Sequence, residues 1–159
     1  MLNEKTNVMR LLEQKKVPYT VHQLENAEGL TGVKIAEMLG EDPEGAFKTL
    51  VTTGSPRKYY VFVIPVAEEL DLKKAAKAAG EKSIAMLPQK ELLPLTGYVH
   101  GGCSPVGMKK LFKTFVHCSA KERCTICFSA GKVGMQVETA PQDLEKMIPL
   151  TYADVIREE

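Results

Sequence analysis

One stretch in the second half of the chain reads Tyr98-Val99-His100-Gly101-Gly102-Cys103-Ser104-Pro105-Val106-Gly107. Glycine has no Cβ atom, so a ligand can approach its backbone closely and its φ angle can be positive. Pro105 fixes its own φ angle and favours an extended conformation at Ser104. Such a loop can present backbone N–H groups to a carbonyl oxygen, an oxyanion or a phosphate. The spacing alone also fits a tight turn without a ligand, because glycine-rich turns are common.

The length and composition of the chain favour a single globular domain. Its 159 residues, 44% hydrophobic and 26% charged, are enough for one domain, residues 1–159, with a sizeable core. No apolar run approaches the ~20 residues that span a membrane. The N-terminal segment lacks the apolar run and cleavage site of a signal peptide. We therefore expect a cytoplasmic protein with no membrane partner.

The net charge limits the kind of nucleic-acid contact that is expected. The chain carries 21 basic and 20 acidic side chains, a formal charge of +1. Proteins that bind long duplexes without sequence preference are usually more basic, so no DNA partner is expected and any nucleic-acid contact should be local. Lys109, Lys110 and Lys113 follow the glycine loop. They are available for such a contact, although a run of lysines is also typical of an ordinary solvated face.

The four cysteines do not indicate a disulfide framework or a zinc site. Cys124 and Cys127 form a CxxC pair in a β-branched, aromatic context that predicts a strand. Residues three apart on a strand point to opposite faces, and no second ligand pair has zinc-site spacing. His117 and Cys118 would help only if the fold brought them close. The expectation is no metal and no cofactor.

Periodicity and turn residues predict the secondary structure. Thr31 and Asp71 are suitable N-caps, and Gly80 suits the end of the helix that Asp71 begins. The segment from 129 to 132 reads as a turn, and the tail from Thr151 as a frayed helix. Helices are predicted at 4–16, 31–39, 72–79, 88–93 and 141–147, and strands at 19–24, 46–53, 58–66, 83–87, 113–118, 125–129 and 135–138.

These elements predict an α+β fold. Strands and short helices are mixed without regular βαβ alternation, which favours a mixed, largely antiparallel, barrel-like sheet with flanking helices. The strand at 58–66 is apolar on both faces and should be central. A Rossmann domain is disfavoured because no strand–GxGxxG–helix unit occurs, and a P-loop is absent from the sequence.

Catalysis by a side-chain nucleophile is hard to assign. Ser104 precedes a proline and is not part of a GxSxG motif, so catalysis would rely on positioning and electrostatics. Lys48 shares a strand face with Ala46 and Leu50. Its ammonium either enters a cavity, where it can bind phosphate or carboxylate, or protects an exposed strand edge. His22 is more simply explained as a solvated or hydrogen-bonded histidine than as a catalytic one.

Four segments occur in a specific order and spacing. They are Phe47-Lys48-Thr49-Leu50, the helix from Leu70 to Gly80, the glycine loop within Thr96–Gly107, and Ser129-Ala130-Gly131-Lys132. Together they resemble the bacterial YbaK-type Cys-tRNA(Pro) deacylases, whose superfamily includes the inserted editing domain of prolyl-tRNA synthetase. The resemblance covers nearly the whole chain, from about residue 7 to 147.

The resemblance implies a hydrolase that acts in trans on the ester of a misacylated tRNA, most simply Cys-tRNA(Pro). Lys48 would engage the acceptor end, and Gly101 and Gly102 would hold the scissile region through their backbone. The thiol of a cysteinyl substrate can itself attack the ester, so neither a protein nucleophile nor a metal is required. The implied partners are the aminoacyl-tRNA acceptor end and prolyl-tRNA synthetase.

Family resemblance also implies a set of substrate-binding residues, and the sequence departs from the cysteine-specific pattern at some of them. Gln136 stands where those members tend to have an acidic residue, and near Leu24 and Thr31 they tend to have aromatic residues. An alternative is therefore a non-catalytic aminoacyl-tRNA-binding or regulatory module with the same fold. The implied substrate-binding residues are Thr31, Ser104, Pro105, Ser129, Gly131 and Gln136.

Overall fold

A computed structural model describes residues 5–158. Among these residues no helix is both long and apolar enough to cross a membrane. The helices are α1 (Asn7–Gln14), α2 (Gly32–Met38), α3 (Leu72–Ala79), α4 (Leu92–Thr96) and α5 (Pro141–Met147), with 3-10 turns at Gln89–Glu91 and Cys118–Glu122. The strands are β1 (Thr20–Gln23), β2 (Phe47–Thr53), β3 (Tyr59–Pro65), β4 (Ala85–Met86), β5 (Lys113–His117), β6 (Ile126–Lys132), β7 (Met135–Thr139) and β8 (Thr151–Ala153).

The strands form two sheets, and residues of both sheets pack together in one inner core. One sheet has the order β1-β7-β6 and is antiparallel, and the other has the order β4-β2-β3-β5-β8. In the second sheet β3 pairs with β5, and β5 with β8, in parallel. A parallel bridge between Ala46 and Cys127 joins the start of β2 to β6. The predicted α+β class with a mixed sheet is confirmed, and the sheet is curled rather than closed.

Strand β3 is central in its sheet, as predicted, and its residues are mostly buried. It lies between β2 and β5, and six of its seven residues are buried. Its Val61 and Val63 pack inside the curled sheet with Phe47, Phe128 and Val137. Its other face is covered by α3.

The outer core beneath α3 is smaller. Phe62 of β3 stacks on Phe115 of β5, with ring centroids 5.3 Å apart, and Ala75 of α3 packs against them.

The capping residues and turn residues in the sequence predicted the positions of several helices correctly. Asp71 accepts hydrogen bonds from the backbone N–H groups of Lys73 and Lys74, both at 3.0 Å, and caps α3. Gly80 ends that helix with a φ of +73°. Helices α3 and α5 have the predicted bounds, whereas α1 begins at Asn7 because Thr6 is its N-cap. The earliest residue of the predicted first helix, Glu4, lies outside the described residues.

Three predictions of secondary structure were wrong. The tail at Thr151–Ala153 is a strand, because β5 offers it a partner in parallel register. The predicted turn at 129–132 is the end of β6, where a bulge between Ser129 and Lys132 accommodates Gly131 at a φ of +104°. The single helix predicted at 88–93 is a 3-10 turn followed by α4.

Candidate active site

Lys48 lies on β2, which is an inner strand of its sheet. It pairs with Ile64 of β3 on one side, and on the other side its strand meets β6 through the Ala46–Cys127 bridge. The side chain is half-buried. Lys48 therefore lies between two paired positions of β2, with its side chain partly withdrawn from solvent.

The Lys48 ammonium is available to an anionic ligand. Burial lowers its pKa, and the electrostatic attraction of Glu69 and Glu68 partly opposes this shift. Glu69 forms its ion pair with Arg157 instead, at 2.7 Å. Within residues 5–158 the ammonium makes no hydrogen bond or ion pair, and a half-buried cation without a partner favours binding of phosphate or carboxylate.

Lys48, Ser129 and Gln136 project from the same sheet face. Lys48 and Ser129 each lie two residues beyond the Ala46–Cys127 bridge, and side chains two apart on a strand point to the same side. Gln136 of β7 lies directly opposite Ser129 of β6. The three residues therefore lie on three strands, of which β6 and β7 are paired at Ser129 and Gln136, and β2 and β6 are joined at the bridge two residues earlier.

The glycine loop is tied to this face by Ser129. The Ser129 hydroxyl donates to the Gly102 carbonyl oxygen at 2.9 Å and accepts from the Gly131 N–H at 3.0 Å. A Cβ atom at Gly102 would lie 3.1 Å from the Val133 backbone nitrogen. Only glycine allows the loop to approach the turn between β6 and β7 this closely.

The loop offers fewer free donors than its sequence indicates. The Gly102 N–H is already used, since it donates to the Val99 carbonyl oxygen at 3.0 Å. Gly101 is exposed with a φ of +86°, and in the described part of the chain the N–H groups of Gly101 and Cys103 have no hydrogen-bond partner. These two groups are the candidates for binding a carbonyl oxygen or oxyanion.

Three of the implied substrate-binding residues have structural roles in the fold. Ser104 is fully buried, with its hydroxyl accepting from the Val106 N–H at 3.3 Å, and Pro105 is buried beside it. Tyr98 donates to the Val106 carbonyl oxygen and closes the loop from the other side. Thr31 is the N-cap of α2, accepting from the Lys34 N–H at 3.1 Å. In this conformation they shape the loop and the helix.

A polar cluster that sequence reasoning missed lies on the face of Ser129 and Gln136. His22 Nε2 is 2.8 Å from a Glu138 carboxylate oxygen. With its amide nitrogen turned towards Glu41, Gln136 donates to both Glu41 oxygens, at 2.6 and 2.9 Å. Strand alternation would have placed Glu138 and Gln136 on one face, but nothing local predicts that the turn after α2 brings Glu41 to them.

Burial and hydrogen bonding shift the pKa values of the two glutamic acids of this cluster in opposite directions. Burial raises the pKa of Glu41, and the nearby His22 partly opposes the shift. The pKa of Glu138 is lowered, mainly because the Thr125 hydroxyl and His22 bind its carboxylate. Glu41 is thus the carboxyl group that protonates more readily as the pH falls.

Neither buried thiol is an activated nucleophile. Burial raises the pKa of Cys103 to about 12, and burial together with Glu41 and Glu138 also raises the pKa of Cys127. A thiol with a raised pKa is protonated at neutral pH, whereas catalytic cysteines need a lowered pKa. The arrangement suits catalysis by positioning and hydrogen bonding.

Two cavities flank this region. The smaller, about 130 Å³, is lined by Glu41, Cys127, Glu138, His22 and Arg123 among others and adjoins Gln136. The larger, about 440 Å³, lies at the end of β3 and β5, and neither cavity is lined by Lys48 or by another of the predicted site residues. Size alone would select the larger cavity, but the polar groups described above converge at the smaller one.

Comparison with known proteins identifies the family. The family model of the aminoacyl-tRNA editing domain matches residues 27–147. This chain belongs to the aminoacyl-tRNA editing domain family. The resemblance to YbaK-type editing proteins is therefore confirmed. A protein of Enterococcus faecalis, EbsC, named as a predicted Cys-tRNA(Pro)/Cys-tRNA(Cys) deacylase, is 45% identical over 157 residues, which are 98% of this chain and 96% of that protein.

Solved structures support the fold of this editing domain. The crystal structure of a proposed trans-editing enzyme for prolyl-tRNA synthetase has a TM-score of 0.82 at 20% identity, covering 98% of this chain and all of that one. The crystal structure of hypothetical protein APE2540 has a TM-score of 0.85 at 22% identity, covering 94% of this chain and 99% of that one. At these identities the likeness shows the fold alone.

Proposed function

We propose that this editing domain is a trans-editing hydrolase that deacylates misacylated tRNA, with Cys-tRNA(Pro) as its substrate, by substrate-assisted ester hydrolysis. The observation that carries the proposal is the 45% identity, over nearly the full length of both chains, to a protein named for that activity. The geometry agrees, because Lys48, Ser129 and the glycine loop meet on one face without an activated nucleophile.

Each part of the face has a task in this proposal. The Lys48 ammonium binds the phosphate of the acceptor end and places the terminal adenosine. The N–H groups of Gly101 and Cys103 donate to the ester carbonyl oxygen and stabilise the negative charge that develops there. Ser129 acts as a positioning residue, since it holds the Gly102 carbonyl and with it the loop.

The reaction uses the chemistry of the substrate. The cysteinyl thiol loses its proton and its sulfur attacks the ester carbonyl carbon, which forms a C–S bond. The C–O ester bond breaks, the ribose hydroxyl leaves with a proton, and a cysteine thiolactone is released. Water then hydrolyses the thiolactone to free cysteine. The enzyme supplies orientation, which brings sulfur and carbonyl into reacting distance, and no protein nucleophile is consumed.

Glu41 is the carboxylate that we assign to the substrate's α-ammonium. Among the acids beside Gln136, Glu138 is bound by His22 and the Thr125 hydroxyl, whereas Glu41 accepts from the Gln136 amide. A charge-assisted hydrogen bond from an ammonium is stronger than one from a neutral amide, so the substrate ammonium can replace the Gln136 amide at Glu41.

The partners follow from the same substrate. The acceptor end of the tRNA binds the Lys48 face, with Lys109 and Lys110 exposed after the glycine loop. The near-neutral charge of the chain favours a small footprint on the tRNA, so prolyl-tRNA synthetase is the partner that would supply tRNA identity. A cytoplasmic location is part of this proposal.

A panel of aminoacyl-tRNAs tests the function. The purified protein is incubated with each of them in the presence of EDTA, and ester hydrolysis is followed under single-turnover conditions. We expect hydrolysis of Cys-tRNA(Pro) above the spontaneous rate, and much slower hydrolysis of an S-methylcysteinyl ester that lacks the free thiol. Binding of aminoacyl-tRNA without hydrolysis of any ester would favour the non-catalytic module, which Gln136 in place of an acid makes the second candidate.

A further inference from the structure

Three different ligand groups converge in the smaller cavity. The Nε2 atom of His22, the Sγ atom of Cys127 and a carboxylate oxygen of Glu138 all lie within 4.8 Å of one another. They come from three adjacent strands, β1, β6 and β7, and Glu138 lies directly opposite Cys127 in the β6–β7 pair. Side chains on paired strands are held at fixed spacing, so the group is built by the sheet rather than by a mobile loop.

The distances suit one small ion. Zinc binds sulfur at about 2.3 Å, imidazole nitrogen at about 2.0–2.1 Å and carboxylate oxygen at about 2.0–2.2 Å. Two ligand atoms bound to one tetrahedral zinc ion are therefore roughly 3.5 Å apart. The three atoms need only small side-chain rotations to reach such an arrangement, and the His22–Glu138 hydrogen bond of 2.8 Å would be exchanged for two metal bonds.

The surroundings of the cluster favour a cation. The cavity is lined by three carboxylates, those of Glu41, Asp42 and Glu138, against one guanidinium, that of Arg123. Arg123 is paired with Asp42 at 2.9 Å. The Glu138 carboxylate shares the cavity with the Cys127 thiol, and a divalent ion would neutralise the carboxylate and the thiolate together.

An outer shell of hydrogen bonds is already in place. The Thr125 hydroxyl donates to the second oxygen of Glu138 at 2.5 Å, which fixes the carboxylate with its other oxygen towards His22. Glu41 lines the same cavity as the Cys127 sulfur and adds a negative charge close to the ligands. Outer partners of this kind orient the ligands of metal sites and tune their affinity.

We infer that His22, Cys127 and Glu138 form a binding site for a thiophilic divalent cation, with Zn²⁺ as the ion whose ligand preferences match best. The sequence-based expectation of no metal rested on Cys124 and Cys127 as a pair, and the fold separates them. Cys124 is exposed and precedes β6, whereas Cys127 is buried and faces His22 and Glu138. The site lies beside the proposed ester-binding face, and the ester chemistry does not use it.

Cobalt substitution tests the site directly. The full chain is stripped with EDTA, dialysed under reducing conditions and titrated with Co²⁺, whose thiolate-to-metal charge-transfer absorption reports a cysteine ligand. We expect one ion per chain, a charge-transfer band, and loss of the band on addition of Zn²⁺. Zn²⁺ should also raise the melting temperature, because a ligand that binds only the native state stabilises it.

Matched variants identify the ligands. Cys127→Ser should abolish the charge-transfer band, whereas Cys124→Ser, which removes an exposed thiol three residues away, should leave the band intact. Glu138→Gln preserves the side-chain shape and keeps the test valid if Cys127→Ser folds poorly, and it should weaken Zn²⁺ binding at least tenfold. Thr125→Val should weaken binding by about 10-fold or more through the lost outer hydrogen bond.

Two results would overturn the assignment. One is the absence of any charge-transfer band in the wild-type chain at millimolar Co²⁺. The other is a band that survives Cys127→Ser or disappears in Cys124→Ser, since the thiolate ligand would then be a different cysteine. Because the proposed deacylation is assayed in EDTA, its failure leaves this binding test unaffected.

Discussion

The Ser129 hydroxyl donates a hydrogen bond to the Gly102 carbonyl oxygen at 2.9 Å across 27 residues of sequence. This bond joins the end of β6 to the glycine loop, and Ser129 lies on the strand face that also carries Lys48. Ser129 therefore connects the glycine loop to the strand face on which Lys48 lies. Five predictions follow from the residues around that place.

Lys48→Ala should lower the single-turnover rate on the order of 10²-fold, the loss typical when a reactant is misplaced by about 1 Å. The melting temperature should not fall, because the half-buried ammonium has no partner to lose. Lys48→Arg should restore the rate only in part, since a planar guanidinium presents its donors differently. A folded Lys48→Ala protein with wild-type rates would remove Lys48 from the site.

The two glycines of the loop should respond differently to alanine. Gly102→Ala places a Cβ atom 3.1 Å from the Val133 backbone nitrogen, so the loop must shift and both the rate and the melting temperature should fall. In Gly101→Ala the new Cβ atom lies 3.5 Å from a Val133 methyl carbon, which is an ordinary contact. The substitution lowers the free energy of unfolding by roughly 1–2 kcal/mol, because the φ angle of +86° is unfavourable for alanine. Gly80→Ala is the control, with a φ of +73° and open space at the end of α3. Equal losses of activity in all three variants would mean that backbone strain alone is responsible.

Cys103→Ala should leave the single-turnover rate within about twofold of wild type. Burial raises the pKa of the Cys103 thiol to about 12, so hardly any thiolate is present at neutral pH to attack an ester. The comparison is made on protein with native melting behaviour. A large loss of rate would indicate a protein nucleophile, and the substrate-assisted reaction would have to be abandoned.

The KM for aminoacyl-tRNA should rise as the pH falls through the raised pKa of Glu41. Burial raises that pKa, so the carboxyl is neutralised at a higher pH than an ordinary glutamic acid and then no longer attracts the substrate ammonium. Glu41→Gln should raise KM at neutral pH and remove this acidic limb of the profile. Glu44→Gln, at an exposed position nearby, is the control. An unchanged profile in Glu41→Gln would assign the ammonium to another group.

Thr31→Ala should lower the free energy of unfolding by about 1 kcal/mol, because the N-cap of α2 is lost. Thr31→Ser keeps the capping hydroxyl and should restore stability. If KM recovers together with stability in Thr31→Ser, the effect of Thr31 comes from the position of α2. A KM that stays raised in Thr31→Ser indicates direct contact of the threonine methyl group with the substrate.

Much of this protein could be predicted from local patterns. Side-chain alternation and flanking turns placed β2 and β3, and the capping residues Asp71 and Gly80 bounded α3, because these signals act within a few residues. The glycine loop and the lysine motif led to the correct family, since their order and spacing are specific.

Tertiary structure decided the rest, because it depends on contacts between residues far apart in sequence. Thr151–Ala153 is a strand only because β5 offers a free edge. The Gly102 carbonyl oxygen is held only because the fold brings Ser129 of β6 to the glycine loop. Strand order brings His22 to Cys127 and Glu138 from more than 100 residues away, so no spacing rule could have found their shared cavity.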